Sequence, residues 1–116
     1  MKILIVDDEI FALRTLERIL EEEDVEILEA GDCYDAYTMY EEMHPDIVIT
    51  DILMKGGIGG EWLIDKILHF DNEAKIIVCS GRQRAELLKY KLMGAKHCIQ
   101  KPVKYQELWD TIDAMI

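Results

Sequence analysis

Basic residues are scarce in this chain: 13 lysines and arginines stand against 24 aspartates and glutamates, a formal net charge of −11. That balance repels the phosphate backbone of nucleic acids and anionic membrane surfaces, so any DNA contact has to come from another segment or chain. Cysteine is sparse as well. Cys33, Cys79 and Cys98 are odd in number, far apart and set in apolar surroundings, which indicates neither a disulfide framework nor a zinc site and fits a reduced, intracellular compartment. Long apolar runs are missing: none approaches the length of a membrane span, and the N-terminus enters a run of only four residues, without the stretch and cleavage site of a signal peptide. The chain is therefore read as soluble and cytoplasmic, with no membrane partner. Also missing are a hydroxyl-rich loop after the first apolar run and any G-x-x-x-x-G-K-S/T sequence, so a nucleotide or flavin lacks its cradle.

What is present is a regular alternation. With 116 residues, half of them apolar, the chain suits one domain, residues 1–116, with one core. Short continuous apolar runs alternate with stretches of helical spacing, the β/α pattern of a parallel sheet covered on both faces. There are five such units. A helix from about Glu9 to Glu22 carries Leu13, Leu16 and Leu20, with Asp8 placed to cap it. The strand Glu26 to Ala30 precedes a helix with Ala36, Met39, Tyr40 and Met43 that stops at His44-Pro45. The third strand ends at Asp51, and Gly56, Gly57, Gly59 and Gly60 make a permissive loop before Leu63, Ile64, Ile67 and Leu68. The fourth strand reaches Ser80-Gly81, and Ala85, Leu88 and Leu92 are the expected core stripe of the next helix, ended by Gly94. Lys101-Pro102 separates the fifth strand from a last helix with Leu108, Ile112 and Met115.

Four of these strands end on residues able to do metal or phosphate chemistry: Asp7-Asp8, Asp51, Ser80 and Lys101. In an open parallel sheet the carboxyl ends of the strands share one edge, where ligands bind. Three carboxylates, a hydroxyl and an ammonium then meet in one pocket. Adjacent Asp7 and Asp8 with Asp51 nearby are costly unless a cation compensates them, and an oxygen-only site with room for water favours magnesium. Each residue has a plainer role alone: Asp7 or Asp8 as a helix cap, Asp51 as a turn former, Ser80 as a local hydrogen bonder, Lys101 as a solvated charge. Their joint placement favours the shared site.

The stretches Ile3-Leu4-Ile5-Val6-Asp7-Asp8-Glu9, Asp46-Ile47-Val48-Ile49-Thr50-Asp51, Ile76-Ile77-Val78-Cys79-Ser80-Gly81 and Lys101-Pro102, in that order, resemble the receiver domain of two-component response regulators. This family includes the chemotaxis-type single-domain regulators, and the resemblance covers essentially the whole chain. It implies a flavodoxin-like, doubly wound (βα)5 fold whose five-stranded parallel sheet has the order 2-1-3-4-5. It further implies that Asp51 is the phosphoacceptor, that Asp8 binds Mg2+ directly and Asp7 directly or through water, and that the Leu53 backbone carbonyl completes the ligands with Asp51. Lys101 would neutralise the transferring phosphoryl group, Ser80 would hydrogen-bond it, and the Lys101-Pro102 bond would be cis. A sensor histidine kinase or phosphotransfer protein is the implied donor. The face of fourth helix, fifth strand and fifth helix would answer to a downstream effector and is where such domains dimerise. The resemblance makes the chain a signalling phosphoacceptor rather than an enzyme acting on other substrates.

Departures from the family pattern are local. Lys55 stands where proline is usual, and Cys98 replaces the switch aromatic, with Tyr105 too far along to substitute simply. Leu53 and Arg82 flank the path of the hydrolytic water in such domains, and an apolar Leu53 cannot orient that water, so a long-lived aspartyl phosphate is expected. The competing expectation is a receiver-like interaction module that no longer accepts phosphate. His44, His69 and His97 lack ligand spacing, Trp62 and Trp109 read as helix residues packing one edge on the core, and the Glu21 to Asp24 run reads as a solvated helix end.

Overall fold

The computed structural model describes residues 1–54 and 59–116. The expected Lys55, Gly56 and Gly57 therefore lie outside the described residues. Ten elements alternate: β1 (Lys2–Val6), α1 (Ile10–Leu20), β2 (Glu26–Ala30), α2 (Cys33–Met43), β3 (Ile47–Thr50), α3 (Gly60–Phe70), β4 (Ile76–Ser80), α4 (Arg84–Met93), β5 (His97–Gln100) and α5 (Tyr105–Asp113). The strands form one sheet in the order β2-β1-β3-β4-β5, every pairing parallel, as the sequence leads one to expect.

The central strands β1, β3 and β4 are continuous apolar runs because successive side chains point to opposite faces and both faces are covered. Leu4, Val6, Val48, Ile76 and Val78 enter the layer shared with α2, α3 and α4. Ile3, Ile5, Ile47, Ile49, Ile77 and Cys79 enter the layer shared with α1 and α5. Edge strand β2 keeps Glu26 exposed and Glu29 half-buried, the polar dilution expected of an edge. Crossovers on both sides leave the carboxyl ends of β1, β3, β4 and β5 on one rim, where the expected site residues stand.

Two local expectations are corrected. Glu9, not Asp8, is the residue preceding α1, and no side chain caps that end. Asp7 Oδ1 instead accepts the Glu9 backbone N–H at 3.0 Å, so the carboxylate nearest the strand takes the turn. In α3 the expected stripe holds: Leu63, Ile64 and Ile67 form the inner face and half-buried Leu68 packs at its margin. The larger correction concerns α4. Ala85, Leu88 and Leu92 face solvent, Leu92 at 82 % exposure, and the buried residues are Leu87 and Tyr90. Two apolar stripes run along this helix, and the hand-off into β5 selects between them. The Ala95 N–H donates to the Tyr90 carbonyl at 3.0 Å, and Gly94, at φ 120°, turns the chain inward in a conformation that disfavours residues with a Cβ.

Other expectations hold. His44 ends α2, as its place before Pro45 predicts, in the left-handed region at φ 48°; the Asp32 side chain, not singled out from sequence, caps the start of that helix by accepting the Asp35 N–H. Trp62 and Trp109 are half-buried, Trp109 donating its indole N–H to the Ile19 carbonyl at 2.9 Å. Trp62 meets Tyr34 and Tyr37 edge to face at 5.0 and 6.1 Å, joining α3 to α2.

Candidate functional site

The rim gathers the expected residues into one cleft. Asp7 follows β1 and is 2 % exposed; its backbone N–H is held by the Ala30 carbonyl at 3.2 Å. Asp51 follows β3, with its N–H on the Val6 carbonyl at 3.0 Å. The Lys101 ammonium, delivered from beyond β5, lies 2.8 Å from Asp7 Oδ2 and 3.2 Å from Asp51 Oδ2. One cation thus bridges two carboxylates that are 94 and 50 positions away from it in the chain. The Lys101 N–H donates to the Ser80 carbonyl at 2.8 Å, which registers the end of β5 against the end of β4. The Lys101–Pro102 bond is cis, as expected.

A cleft of 430 Å³ opens here, lined by Glu9, Asp51, Leu53, Ser80, Gly81, Arg82 and Lys101. Ser80 is 1 % exposed, and its hydroxyl oxygen accepts the Arg82 backbone N–H at 3.3 Å. Leu53 is 60 % exposed at the rim, so its side chain is free to vary without disturbing the core. Asp8 is half-buried next to Asp7. Asp7, Asp51, Ser80 and Lys101 are therefore brought together as the strand-end reading anticipates. Glu9, Gly81 and Arg82 complete the walls. Of these only Arg82 was singled out from sequence; Glu9 and Gly81 were legible as the residues directly following the strand-end pairs.

The electrostatics of the bridge favour a charged lysine. Burial by itself would lower the Lys101 pKa, but the hydrogen bond to Asp7 and the charges of Asp51 and Asp7 outweigh it and hold the ammonium above its ordinary value. Asp51 Oδ1 accepts the Ile52 N–H at 2.7 Å, leaving Oδ2 for the ammonium. Arg82 sets its Nη1 3.3 Å from Glu86 Oε2, while its Nε is buried without a partner among the described residues.

For a metal, the donors fit a hard dication in kind: carboxylate and carbonyl oxygens, with no sulfur or imidazole lining the cleft. They do not form a ready cage. Among the described residues no group of three His, Cys, Asp or Glu side chains stands close enough to hold an ion, and the Lys101 ammonium bridges Asp7 and Asp51. Mg2+ does not require a cage, since it keeps several waters and shares phosphate oxygens.

The fold and the rim chemistry agree with comparisons to known proteins. The family model for the response regulator receiver domain matches residues 3–113. The chain is 34 % identical over 119 residues to the chemotaxis protein CheY of Treponema pallidum, covering 99 % of this chain and 82 % of that one. It is 39 % identical over 103 residues to CheY of Thermotoga maritima, covering 87 % of this chain and 85 % of that one. Among solved structures, CheY of Borrelia burgdorferi in its CheX-CheY-BeF3-Mg+2 complex superposes with a TM-score of 0.90 at 28 % identity, covering 98 % of this chain and 87 % of that one. The response regulator TrrA of Thermotoga maritima, in complex with Mg(2+)-BeF, gives 0.86 at 29 % identity, covering 99 % and 98 %. The chain belongs to the response regulator receiver domain family and is of the CheY type. Domains of this class are signalling phosphoacceptors of two-component systems.

Proposed function

We propose that Asp51 accepts a phosphoryl group from a histidine kinase or phosphotransfer protein, with Mg2+ as cofactor, and that the modified domain changes its affinity for a downstream partner. The observation that carries this reading is the single ammonium shared by Asp7 and Asp51 in a cleft also lined by Ser80. In the transfer an Asp51 carboxylate oxygen attacks phosphorus, and the bond from phosphorus to the donor imidazole nitrogen breaks. The electron pair departs with that nitrogen. Lys101 is placed to offset the negative charge that accumulates on the phosphoryl oxygens, and Ser80 donates its O–H to one of them. Asp8, Asp51 and the Leu53 backbone carbonyl, with Asp7 directly or through water, would hold Mg2+, which when bound would supply further positive charge. The similar proteins from Borrelia and Thermotoga, solved with magnesium and a beryllium fluoride, support the same cofactor and the same group here.

Phosphorylation replaces the −1 carboxylate of Asp51 with a group carrying about −1.5 to −2 charges and places strong acceptors beside Ser80, which biases a two-state equilibrium. The face of α4, β5 and α5 reads that change out, either to an effector or to a second copy of the domain. A cytoplasmic setting, and residues 1–116 acting as one unit, accord with three free thiols and with no described helix long and apolar enough to cross a membrane.

The test is incubation with acetyl phosphate and Mg2+ followed by intact-mass measurement. The wild type gains one phosphoryl group, Asp51→Asn gains none, and chelation of the metal abolishes the gain. Lys101→Ala slows it by about a hundredfold or more, as for loss of a charge-stabilising group. Phosphorylation persisting in Asp51→Asn, or unaffected by chelation, overturns the reading. Leu53 sets the lifetime: Leu53→Asn, able to orient water, speeds phosphate loss, whereas Leu53→Ala leaves it slow. Acceleration in the alanine variant alone runs against this account.

A further inference from the structure

Cys98 stands where the family's switch aromatic is usual, so the signal from the acceptor needs another route to α4. We infer that Glu61, clasped by Tyr90 and Lys89 of α4, is the coupling residue that transmits the state of Asp51 to that helix. The inference rests on Asp51 being the acceptor and specifies how its modification is relayed.

The route begins at the acceptor's own backbone. The Gly60 N–H donates to the Ile52 carbonyl at 2.8 Å, and a Cβ at Gly60 would collide with the Asp51 carbonyl oxygen. The first turn of α3 is thus hydrogen-bonded to the Ile52 carbonyl and packed against the Asp51 carbonyl. A shift of that backbone segment moves the next residue, Glu61, with it. Across the groove Glu61 Oε1 accepts from Lys89 Nζ at 3.0 Å and from the Tyr90 hydroxyl at 3.4 Å.

The receiving end is lightly held. Of ten residues in α4 only Leu87 and Tyr90 are buried, so Tyr90 is half of the helix's apolar anchor as well as its contact with α3. The remaining ties among the described residues are few: Cys98 Sγ donates to the Leu87 carbonyl at 3.3 Å, Arg84 meets Glu107 of α5 at 3.5 Å, Glu86 meets Arg82 of the cleft wall at 3.3 Å, and half-buried Met93 packs at the margin of the core. Exposed ion pairs contribute little. Burial and the Glu61 charge both hold the Tyr90 phenol protonated, which keeps it a donor to that carboxylate. A carboxylate that two α4 residues share, mounted on a turn hydrogen-bonded to the residue after Asp51, gives the helix two arrangements to choose between. Loosening or tightening the clasp changes how the exposed Leu88 and Leu92 are presented.

The experiment is amide hydrogen exchange over residues 84–93, with and without Mg2+ and beryllofluoride, in the wild type, Tyr90→Phe, Glu61→Gln and the double variant. Acetyl phosphate uptake by intact mass is measured in parallel. All four proteins are expected to accept phosphate. The wild type changes its α4 exchange on adding beryllofluoride, by about fivefold or more, and each single variant loses most of that change. The double variant loses no more than either single one. An unchanged α4 response in both single variants overturns the relay while leaving the phosphoacceptor intact. A wild type that takes up phosphate without any α4 response does the same. Absence of phosphate uptake in the wild type overturns the phosphoacceptor reading, and the relay with it.

Discussion

Helices α1 and α4 carry the same apolar spacing and meet opposite fates. Leu13, Leu16 and Leu20 of α1 are buried at 6 %, 4 % and 0 % exposure, whereas Ala85, Leu88 and Leu92 of α4, spaced identically, lie on the outside. Periodicity therefore specifies that a helix has an apolar stripe, not that the stripe is the one the core takes. The difference lies in the competition. In α1 the residues between the leucines are Arg14, Thr15, Glu17 and Arg18, with Ile19 half-buried at the margin, and no second stripe rivals the first. In α4, Leu87 and Tyr90 offer an alternative inner face, and the Gly94-Ala95 turn into β5 orients the helix to use it. The leucine stripe of one helix is buried in the core, and that of the other lies on the surface.

Truncating α1 should have the largest effect. Leu16→Ala removes buried methyl groups from the layer beneath α1 and α5 and should cost about 2–5 kcal/mol of unfolding free energy. The lower end applies, because Leu16 also lines a 460 Å³ cleft with Ala12, Thr15, Cys79 and Val103, into which neighbours can relax. Urea unfolding with an unchanged slope checks it. A loss below about 0.5 kcal/mol, the surface range, would place α1 with α4 and dissolve the contrast.

Thiol chemistry separates the two helices with an intermediate effect. Cys79 lies under α1 and is 1 % exposed; burial pushes its pKa up to about 12. Cys33, also buried, is raised to about 11, mainly by burial, with the Asp32 and Asp8 charges adding to it. Cys98, half-buried and bonded to the α4 backbone, is raised as well, again chiefly by burial. Only the thiolate reacts, and a raised pKa shrinks its fraction at neutral pH, so labelling of all three is slow there and accelerates as pH rises toward these values. Because α4 is the less anchored helix, Cys98 should label first and Cys79 last, separated by about tenfold or more if α4 opens at a cost about 1.4 kcal/mol lower. Mass mapping of the alkylated cysteines reads the order. Cys79 reacting first would mean that α1 is the looser element.

These contrasts mark what could be read before the structure. The strand ends were legible because buried parallel strands write themselves as apolar runs, and the residues that close or follow each run at its carboxyl end lie on the rim. Asp7, Asp51, Ser80 and Lys101 follow from that rule, and their meeting is a matter of topology rather than of local propensity. The phase of α4 was not legible, since it depends on a turn geometry beyond the helix itself. Nor was the cap of α1: Asp8 has the right chemistry, but no side chain caps that end, and the Glu9 N–H donates to Asp7. The contact of Glu61 with Tyr90 joins helices separated by β4, and no pattern within either one announces it.

The smallest effect is the sharpest test of the comparison. Leu92 is 82 % exposed near the end of α4, so Leu92→Ala deletes little that the folded domain shelters, and alanine is the better helix former. Its stability should stay within about 0.5 kcal/mol of the wild type, set against the larger loss from Leu16→Ala at a position of equal spacing. If this stripe serves a partner or a second copy, the cost of Leu92→Ala appears in association instead, because apolar area that solvent keeps in the monomer is removed from water only in the complex. Sedimentation of the beryllofluoride-treated protein, wild type against Leu92→Ala, reads self-association directly. A stability loss comparable with that of Leu16→Ala would show that the α4 stripe is core after all, and that the two helices differ in nothing but position along the sheet.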